Sequence, residues 1–294
     1  MGVLPNRTLK RKVKVFIDSH ASLRVLLRLG PLGRFLCRAA GVIRLSDAYD
    51  GIFNTVDSGS AVVRAPEHHG TFEIDCRSHI LKQLLCEKSY EPEVAEVIAH
   101  HLDPARDAID VGANIGLFTV LIARSLHESR RVLAIEPTNG ALRYLRRNIE
   151  RNHCAGKVSI FAGVAADRNG AFPISVIEGM EEYSSIVATL QQAPRAPDQL
   201  MVPGETIDSL VQRFNLTPGF IKLDAEGAEY LILSGALNTL RTHRPVIVSE
   251  LSEALLSASG ATSRQVCGFL EAQGYLVKKF AVGQILATPT GHAE

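Results

Sequence analysis

The 294-residue sequence predicts an α/β fold: a mostly parallel sheet with helices on both faces, preceded by an N-terminal extension. Two observations carry that prediction. From about Tyr90 onward, short apolar strand patterns alternate with helix patterns, and repeated strand–helix–strand units pair their strands in parallel. In addition, a glycine-containing loop stands between the first strand of that series and the helix after it, and an acidic residue ends the next strand.

The elements follow in order. Residues 45–88 read as short strands and turns, with Gly51, Asp57-Ser58-Gly59-Ser60 and His69-Gly70 punctuating alternations at Ser60–Arg64 and Thr71–Asp75. Glu93–Leu102 has helical spacing, with Pro92 suited to a first turn. Asp107–Val111 reads as a strand, Gly116–Leu126 as a helix, Arg131–Glu136 as a strand, Gly140–Asn152 as a helix and Val158–Ala162 as a strand. A looser stretch to about Gly204 contains Asn169-Gly170, a hairpin-turn signal, and a Pro/Gln-rich linker at Gln191–Gln199. Helix at Ile207–Phe214, strand at Phe220–Asp224, helix at Ala228–Leu240 and strand at Pro245–Leu251 follow. Ser263–Gln273 reads as a helix, and Tyr275–Phe280 with Gln284–Ala287 as a closing strand pair around Gly283. Domain organisation is read as 1–88, a basic extension with short strands that caps the acceptor side, and 89–294, the α/β domain.

Composition bounds the function classes. With 46% hydrophobic and 21% charged residues the chain is globular. Its apolar runs stop short of the ~18 residues a membrane-spanning helix needs, and the basic start lacks a signal-peptide pattern. Cys37, Cys76, Cys86, Cys154 and Cys267 are odd in number and without CxxC spacing, which reads as reduced thiols in a cytoplasmic protein. Charge is uneven: residues 1–44 hold ten Lys/Arg against Asp18, a net +9, and leave −8 for the rest. The interleaved apolar and basic Leu23–Cys37 suits either peripheral contact with the inner membrane surface or, the preferred reading, an extension packed on the main domain. The acidic remainder argues against a nucleic-acid partner.

Ligands of parallel sheets bind beyond the carboxyl ends of the strands. The positions to inspect are therefore Asp110–Gly116, Glu136-Pro137, Gly163–Ala165, Asp224–Gly227 and Ser249–Leu251. In Asp110–Gly116 the glycines let the backbone approach a ligand. Asn114 replaces the middle glycine of the dinucleotide fingerprint, and Asp110 would repel a pyrophosphate while suiting an ammonium or sulfonium. Glu136 lies 20 residues after Gly116, where it can accept hydrogen bonds from a ribose. That combination fits S-adenosylmethionine better than NAD.

The sequence resembles the FkbM-type S-adenosylmethionine-dependent methyltransferases. The resemblance rests on AIDVGANIGLFT (108–119), AIEP (134–137), RRNIERN (146–152), FIKLDAEGAEYLILSGA (220–236) and RPVIVSEL (244–251). It covers about 90–252 and leaves 1–88 outside. It implies a Rossmann-like class I methyltransferase sheet of seven strands with the last reversed, and O-methylation as the usual activity. By that resemblance Asp110, Gly112, Asn114 and Gly116 form the methionine-side loop, and Glu136 is the ribose ligand. Val164-Ala165 stand at the adenine position. Tyr90-Glu91 resemble the family's pair before the first helix, which puts Glu91 at the lip of the cofactor pocket.

In an extended strand Lys222 and Asp224 share a face. A lysine inside a central strand must be paired or lose its charge. Asp224 is the first candidate for the base that takes a hydroxyl proton and Glu226 the second; Glu250 can orient either or pair with Lys222. The alternative is a Lys–carboxylate cluster that only ties two strands together. No metal site is expected: His68-His69 and His100-His101 are adjacent pairs whose rings diverge. His100-His101 are expected to end a helix, and His68-His69 to be solvated turn residues rather than acceptor-side groups. Tyr183-Ser184-Ser185 stands where the family carries a Ser-rich stretch near its active site. The expected function is O-methyl transfer to a hydroxyl of a sugar, glycolipid or polyketide-like metabolite. Asp224-Ala225-Glu226-Gly227 replaces the motif typical of amino methylation on bases. The alternatives are a non-catalytic glycan- or lipid-binding protein on the same fold and, less favoured, an NAD-linked oxidoreductase.

Overall fold

The computed structural model describes residues 59–176 and 198–291. The basic segment 1–44, the Tyr183–Ser185 stretch and most of the Gln191–Gln199 linker lie outside them. The chain divides into two compact units. Among described residues the smaller holds 59–65 and Phe72–Tyr90, and the larger holds Pro66–Thr71 and 91–291.

The smaller unit carries β1 (Ser60–Ala65), all of β2 (Gly70–Asp75) except its first two residues, and helix α1 (His79–Cys86). The strands answer the alternation in the sequence. The helix replaces an expected turn region. The Ser78 hydroxyl accepts the Ile80 N–H at 3.1 Å, and Ile80, Leu81 and Leu84 form a buried stripe. One cap and one apolar face suffice for an eight-residue helix that tertiary packing completes.

In the larger unit, α2 (Pro92–His101) precedes β3 (Asp107–Val111), α3 (Leu117–Ser125), β4 (Val132–Ile135), α4 (Asn139–Arg151) and β5 (Val158–Phe161). After β6 (Val164–Ala165), β7 (Gly170–Val176) and β8 (Asp198–Glu205) come α5 (Ile207–Phe214), β9 (Pro218–Leu223), α6 (Glu229–Ser234), α7 (Leu237–Thr242) and β10 (Val246–Glu250). Helices α8 (Glu253–Ala258) and α9 (Ser263–Ala272) lead to the hairpin β11 (Tyr275–Ala281) and β12 (Gln284–Pro289). His100 and His101 close α2, as expected.

The main sheet has seven strands in the order β11-β12-β10-β9-β3-β4-β5. Strands β10, β9, β3, β4 and β5 run parallel, and β12 is antiparallel to both β10 and β11. This is the seven-stranded, mostly parallel sheet with one reversed strand that the resemblance implies. Every residue of β3, β4 and β9 is buried, so both faces of the sheet centre are covered. On one face Ile109, Val111, Ile135, Ile221, Leu223 and Ile247 pack with residues of α5 to α9. The alternate residues, Asp110 and Lys222 among them, point the other way.

Three expectations are corrected. Asn169-Gly170 does not turn a hairpin: β7 pairs antiparallel with the distant β8, and β6 pairs with β8 in parallel. Asn169 is instead used by its side chain, which accepts the Thr206 N–H at 2.9 Å and donates to the Ser209 hydroxyl at 3.1 Å. The helix expected over Ala228–Leu240 is two short ones broken at Gly235-Ala236. A Cβ on Gly235 would lie 2.2 Å from the Ala166 carbonyl oxygen. The Asp208 carboxylate meanwhile caps the second helix, accepting N–H groups of Asn238 at 2.9 Å and Thr239 at 2.7 Å. Helix α8, unmarked in the sequence reading, fills the connection after β10. No helix among the described residues is long and apolar enough to cross a membrane.

Gly235→Ala is expected to destabilise the protein by about 2 kcal/mol or more through that clash. Gly268→Ala, in the interior of α9 with nothing within 4 Å of the added Cβ, is expected to stabilise by about 0.5–1 kcal/mol. Urea unfolding of the two variants checks both signs.

Candidate functional site

The loop after β3 is fixed by its own chain. Gly112 has φ +74°, and a Cβ there would stand 1.8 Å from the backbone oxygen of Asp224, so only glycine lets β3 and β9 end side by side. The Asp224 N–H donates to the Val111 carbonyl at 3.2 Å, and the N–H groups of Gly112 and Ala113 both donate to Ile135 O at 3.0 Å. Gly112 is thus required first by the chain's own backbone at Asp224, where the sequence reading assigned it to a ligand's approach. Asn114 takes the left-handed conformation at φ 49°. Gly116 opens α3 at φ 92°, with the Leu145 side chain 2.7 Å from where its Cβ would be. From α4, Asn148 Nδ2 donates to Ile115 O at 2.9 Å.

Two carboxyl groups flank this loop. Glu136 follows β4 and is 5% exposed; its Oε2 accepts the Asn114 N–H at 2.9 Å. Its Oε1 accepts the Thr138 N–H at 2.9 Å and the Thr138 hydroxyl at 2.6 Å. Burial raises the Glu136 pKa against the lowering effect of these donors. An ionised carboxylate has about four acceptor positions, so Oε2 keeps one beyond these three bonds. Asp110 is fully buried; its Oδ2 accepts from Thr119 Oγ1 at 2.5 Å, while Oδ1 has no hydrogen-bond partner among the described residues. Burial pushes the Asp110 pKa up, opposed by the Lys222 charge.

Lys222 stands opposite Asp110 in the β3–β9 register and is 4% exposed. Its Nζ lies 3.0 Å from Asp224 Oδ2 and 4.8 Å from the centroid of the Phe118 ring. Burial alone would lower the Lys222 pKa, but the carboxylates of Asp224, Asp110 and Glu91 overcome it and raise it above the ordinary value. Glu91 adopts φ 43° immediately before α2 and is close enough to influence both Lys222 and Glu250.

Past β9 the chain turns through Glu226 at φ 51° and Gly227 at φ 97°. A Cβ on Gly227 would stand 2.6 Å from the Leu255 carbonyl oxygen. Glu229 holds this turn, its Oε1 accepting the N–H groups of Ala225 at 3.0 Å and Gly227 at 3.2 Å. Burial, with mutual repulsion, raises three pKa values here: Glu226 to about 8, and Glu229 and Glu250 to about 7. Asp224 contributes to all three shifts by repulsion.

The structure therefore brings Asp110, Gly112, Lys222, Asp224 and Glu226 together with Glu91 and Glu250, while Glu136 joins through Asn114. Val164 and Ala165 are buried in β6; the Phe161 carbonyl, just upstream, accepts the Glu136 N–H at 3.1 Å. His69 is exposed as expected, but His68 is fully buried against Phe118, which corrects the solvated-turn reading. Phe118, Thr119, Asn148 and Glu229 were missed, although all lie within the motifs quoted above. A lysine in a central strand is the signal that asks for Phe118. Among the described residues no group of three or more His, Cys, Asp or Glu side chains is arranged to hold a metal ion.

Comparison with known proteins places residues 110–277 in the family described as Methyltransferase FkbM domain. Among solved structures, the FkbM methyltransferase from Methylobacillus flagellatus KT is similar at 18% identity and TM-score 0.43, over 63% of this chain and 44% of that one. The chain thus spans less than half the length of that relative. The O-methyltransferase from Bacillus cereus in complex with SAH matches at 16% identity and TM-score 0.43, over 78% and 92% of the two chains. The precorrin-6y C5,15-methyltransferase from Geobacter metallireducens GS-15 matches at 16% identity and TM-score 0.43, over 69% and 89%. Comparison with curated proteins finds no match.

The raised carboxyl pKa values set a pH dependence of stability. Glu226 binds its proton more tightly folded than unfolded, so its contribution to stability falls as pH rises from 4.5 to about 8. Glu226→Gln removes that loss. Its stability relative to the parent is expected to improve between about pH 5 and about pH 8.5, as urea titration at the two pH values would show.

Proposed function

The chain belongs to the methyltransferase FkbM domain family, and on that premise we propose that it is an S-adenosylmethionine-dependent O-methyltransferase. Its acceptor is a hydroxyl of a sugar, glycolipid or polyketide-like metabolite. The contact of Gly112 with the Asp224 carbonyl carries this reading. It fixes the cofactor-side loop and the candidate base as one piece, so a ligand seated on the loop lies beside Asp224.

The residues present fit such a cofactor. Asp110 Oδ1 is a buried acceptor with no hydrogen-bond partner among the described residues, suited to an ammonium donor, and a carboxylate there disfavours a pyrophosphate. Glu136 keeps an acceptor position for a ribose hydroxyl. Asn114 and Gly116 shape the methionine side, Val164 and Ala165 stand on the adenine side, and Glu91 lies at the lip. When bound, the cofactor supplies a sulfonium methyl group for in-line displacement.

The chain's residues supply orientation and proton transfer. Asp224, at the end of β9, accepts the acceptor's hydroxyl proton as its oxygen attacks the methyl carbon. The O–H and S–C bonds break, the O–C bond forms, and the proton resides on the carboxyl group. Lys222 orients Asp224 through its 3.0 Å contact. Glu226, raised to about 8, carries its proton near neutral pH and is therefore the poorer candidate for the base.

Calorimetry with S-adenosylmethionine, its demethylated product and NAD tests the cofactor assignment. Micromolar binding of the first two and none of NAD is expected; the converse pattern would overturn it. Asp224→Asn is expected to lower turnover of an identified acceptor by about 10²–10⁴-fold while cofactor affinity holds. Full turnover in the folded variant would remove Asp224 from the mechanism.

A further inference from the structure

The segment Pro66–Thr71 lies upstream of the family match at 110–277, yet it belongs to the same compact unit as the site. It is clamped there at several points. Asn152 Oδ1 accepts the Thr71 N–H at 3.0 Å, and Asn152 Nδ2 donates to Thr71 O at 2.9 Å. Arg124 of α3 donates to the His69 carbonyl and, at 3.0 Å, to Asn152 O. Asn152 also donates to Asn148 O at 2.8 Å, one turn back along the chain, and Asn148 in turn holds the loop at Ile115.

At the centre of this clamp His68 is fully buried. Its ring meets that of Phe118 at 4.8 Å between centroids and 80° between planes, an edge-to-face contact. The ammonium of Lys222 lies 4.8 Å from the same Phe118 centroid, and the pair Lys222–Asp224 follows at 3.0 Å. An aromatic face carries partial negative charge and attracts a cation, most strongly where water is excluded. The imidazole therefore fixes the tilt of the phenyl ring, and the tilt decides whether Lys222 finds a ring face or a ring edge.

We propose that His68, acting through the Phe118 ring, is a positioning residue for the Lys222–Asp224 pair. The segment carrying it thereby completes the catalytic site from outside the family-matched region. The proposal rests on Asp224 as the base only for its effect on turnover; the geometry of Lys222 can be read without any acceptor.

The test uses the full chain with isotope-labelled lysine, the Lys222 signal being assigned by its loss in Lys222→Arg. Protons above a ring face resonate upfield, so the Lys222 side-chain signal is expected outside the range of solvated lysines. His68→Ala, and His68→Leu, which keeps the space filled, are expected to move it back toward that range; His68→Phe, which keeps a ring edge, is expected to leave it upfield. Turnover is expected to fall about tenfold in the Ala and Leu variants with cofactor affinity unchanged. A Lys222 signal that is not upfield in the parent, or that stays upfield in both variants, would overturn the proposal. If the signal moves as expected while Asp224→Asn keeps full turnover, the assignment of Asp224 as base fails and the positioning of Lys222 stands.

Discussion

One buried ammonium organises this site. Lys222 sits in the middle of a seven-stranded sheet at 4% exposure, where an unpaired charge costs several kcal/mol. It keeps its charge because Asp224 touches it, Asp110 faces it across the β3–β9 register, Glu91 adds a third negative charge, and Phe118 offers a ring. Without that cation, Asp110 and Asp224 would be two carboxylates at the ends of neighbouring central strands, each repelling the other. With it, the strands can end together. Gly112 then lets the Asp224 carbonyl approach so closely that loop and carboxylate become one rigid object.

The remaining carboxyl groups divide by environment. Glu136 is held by three donors beside the loop. Glu229 spends one oxygen on the turn at 225–227, which gives that turn its shape. Glu226 is raised to about 8 and Glu250 to about 7 by burial and by repulsion from Asp224, which favours their neutral forms beside that carboxylate. One carboxylate is thus paired with a cation, while the same crowding pushes its neighbours toward the protonated form.

Much of this was legible in the sequence because it is local. The strand–loop–helix at 107–125, Glu136 at the end of the next strand, and the two-residue spacing of Lys222 and Asp224 are set by chain geometry alone. What escaped the sequence depends on distant contacts. The residue at the helix break is glycine because the carbonyl of Ala166, far off in the chain, occupies the space of a side chain. Asn169-Gly170 has the composition of a hairpin turn, but Asn169 is spent on Thr206 and Ser209, and β7 pairs with β8. His68 has the look of a turn histidine until α3 is placed beside it. The eight residues of α1 fall in a stretch that reads as short strands and turns, because their helix depends on the Ser78 cap and on the packing of Ile80, Leu81 and Leu84.

The role of Lys222 as the counter-charge of the whole cluster is tested most directly by equilibrium unfolding of Lys222→Met near neutral pH. Methionine keeps the side chain's length and apolar stem while removing the charge, leaving the buried Asp110 and the half-buried Asp224 without their cation. A loss of about 3–5 kcal/mol is expected, as for other buried pairs deprived of one partner. Unchanged or increased stability would contradict the account, because the carboxylates would then be shown to tolerate their crowding without the ammonium.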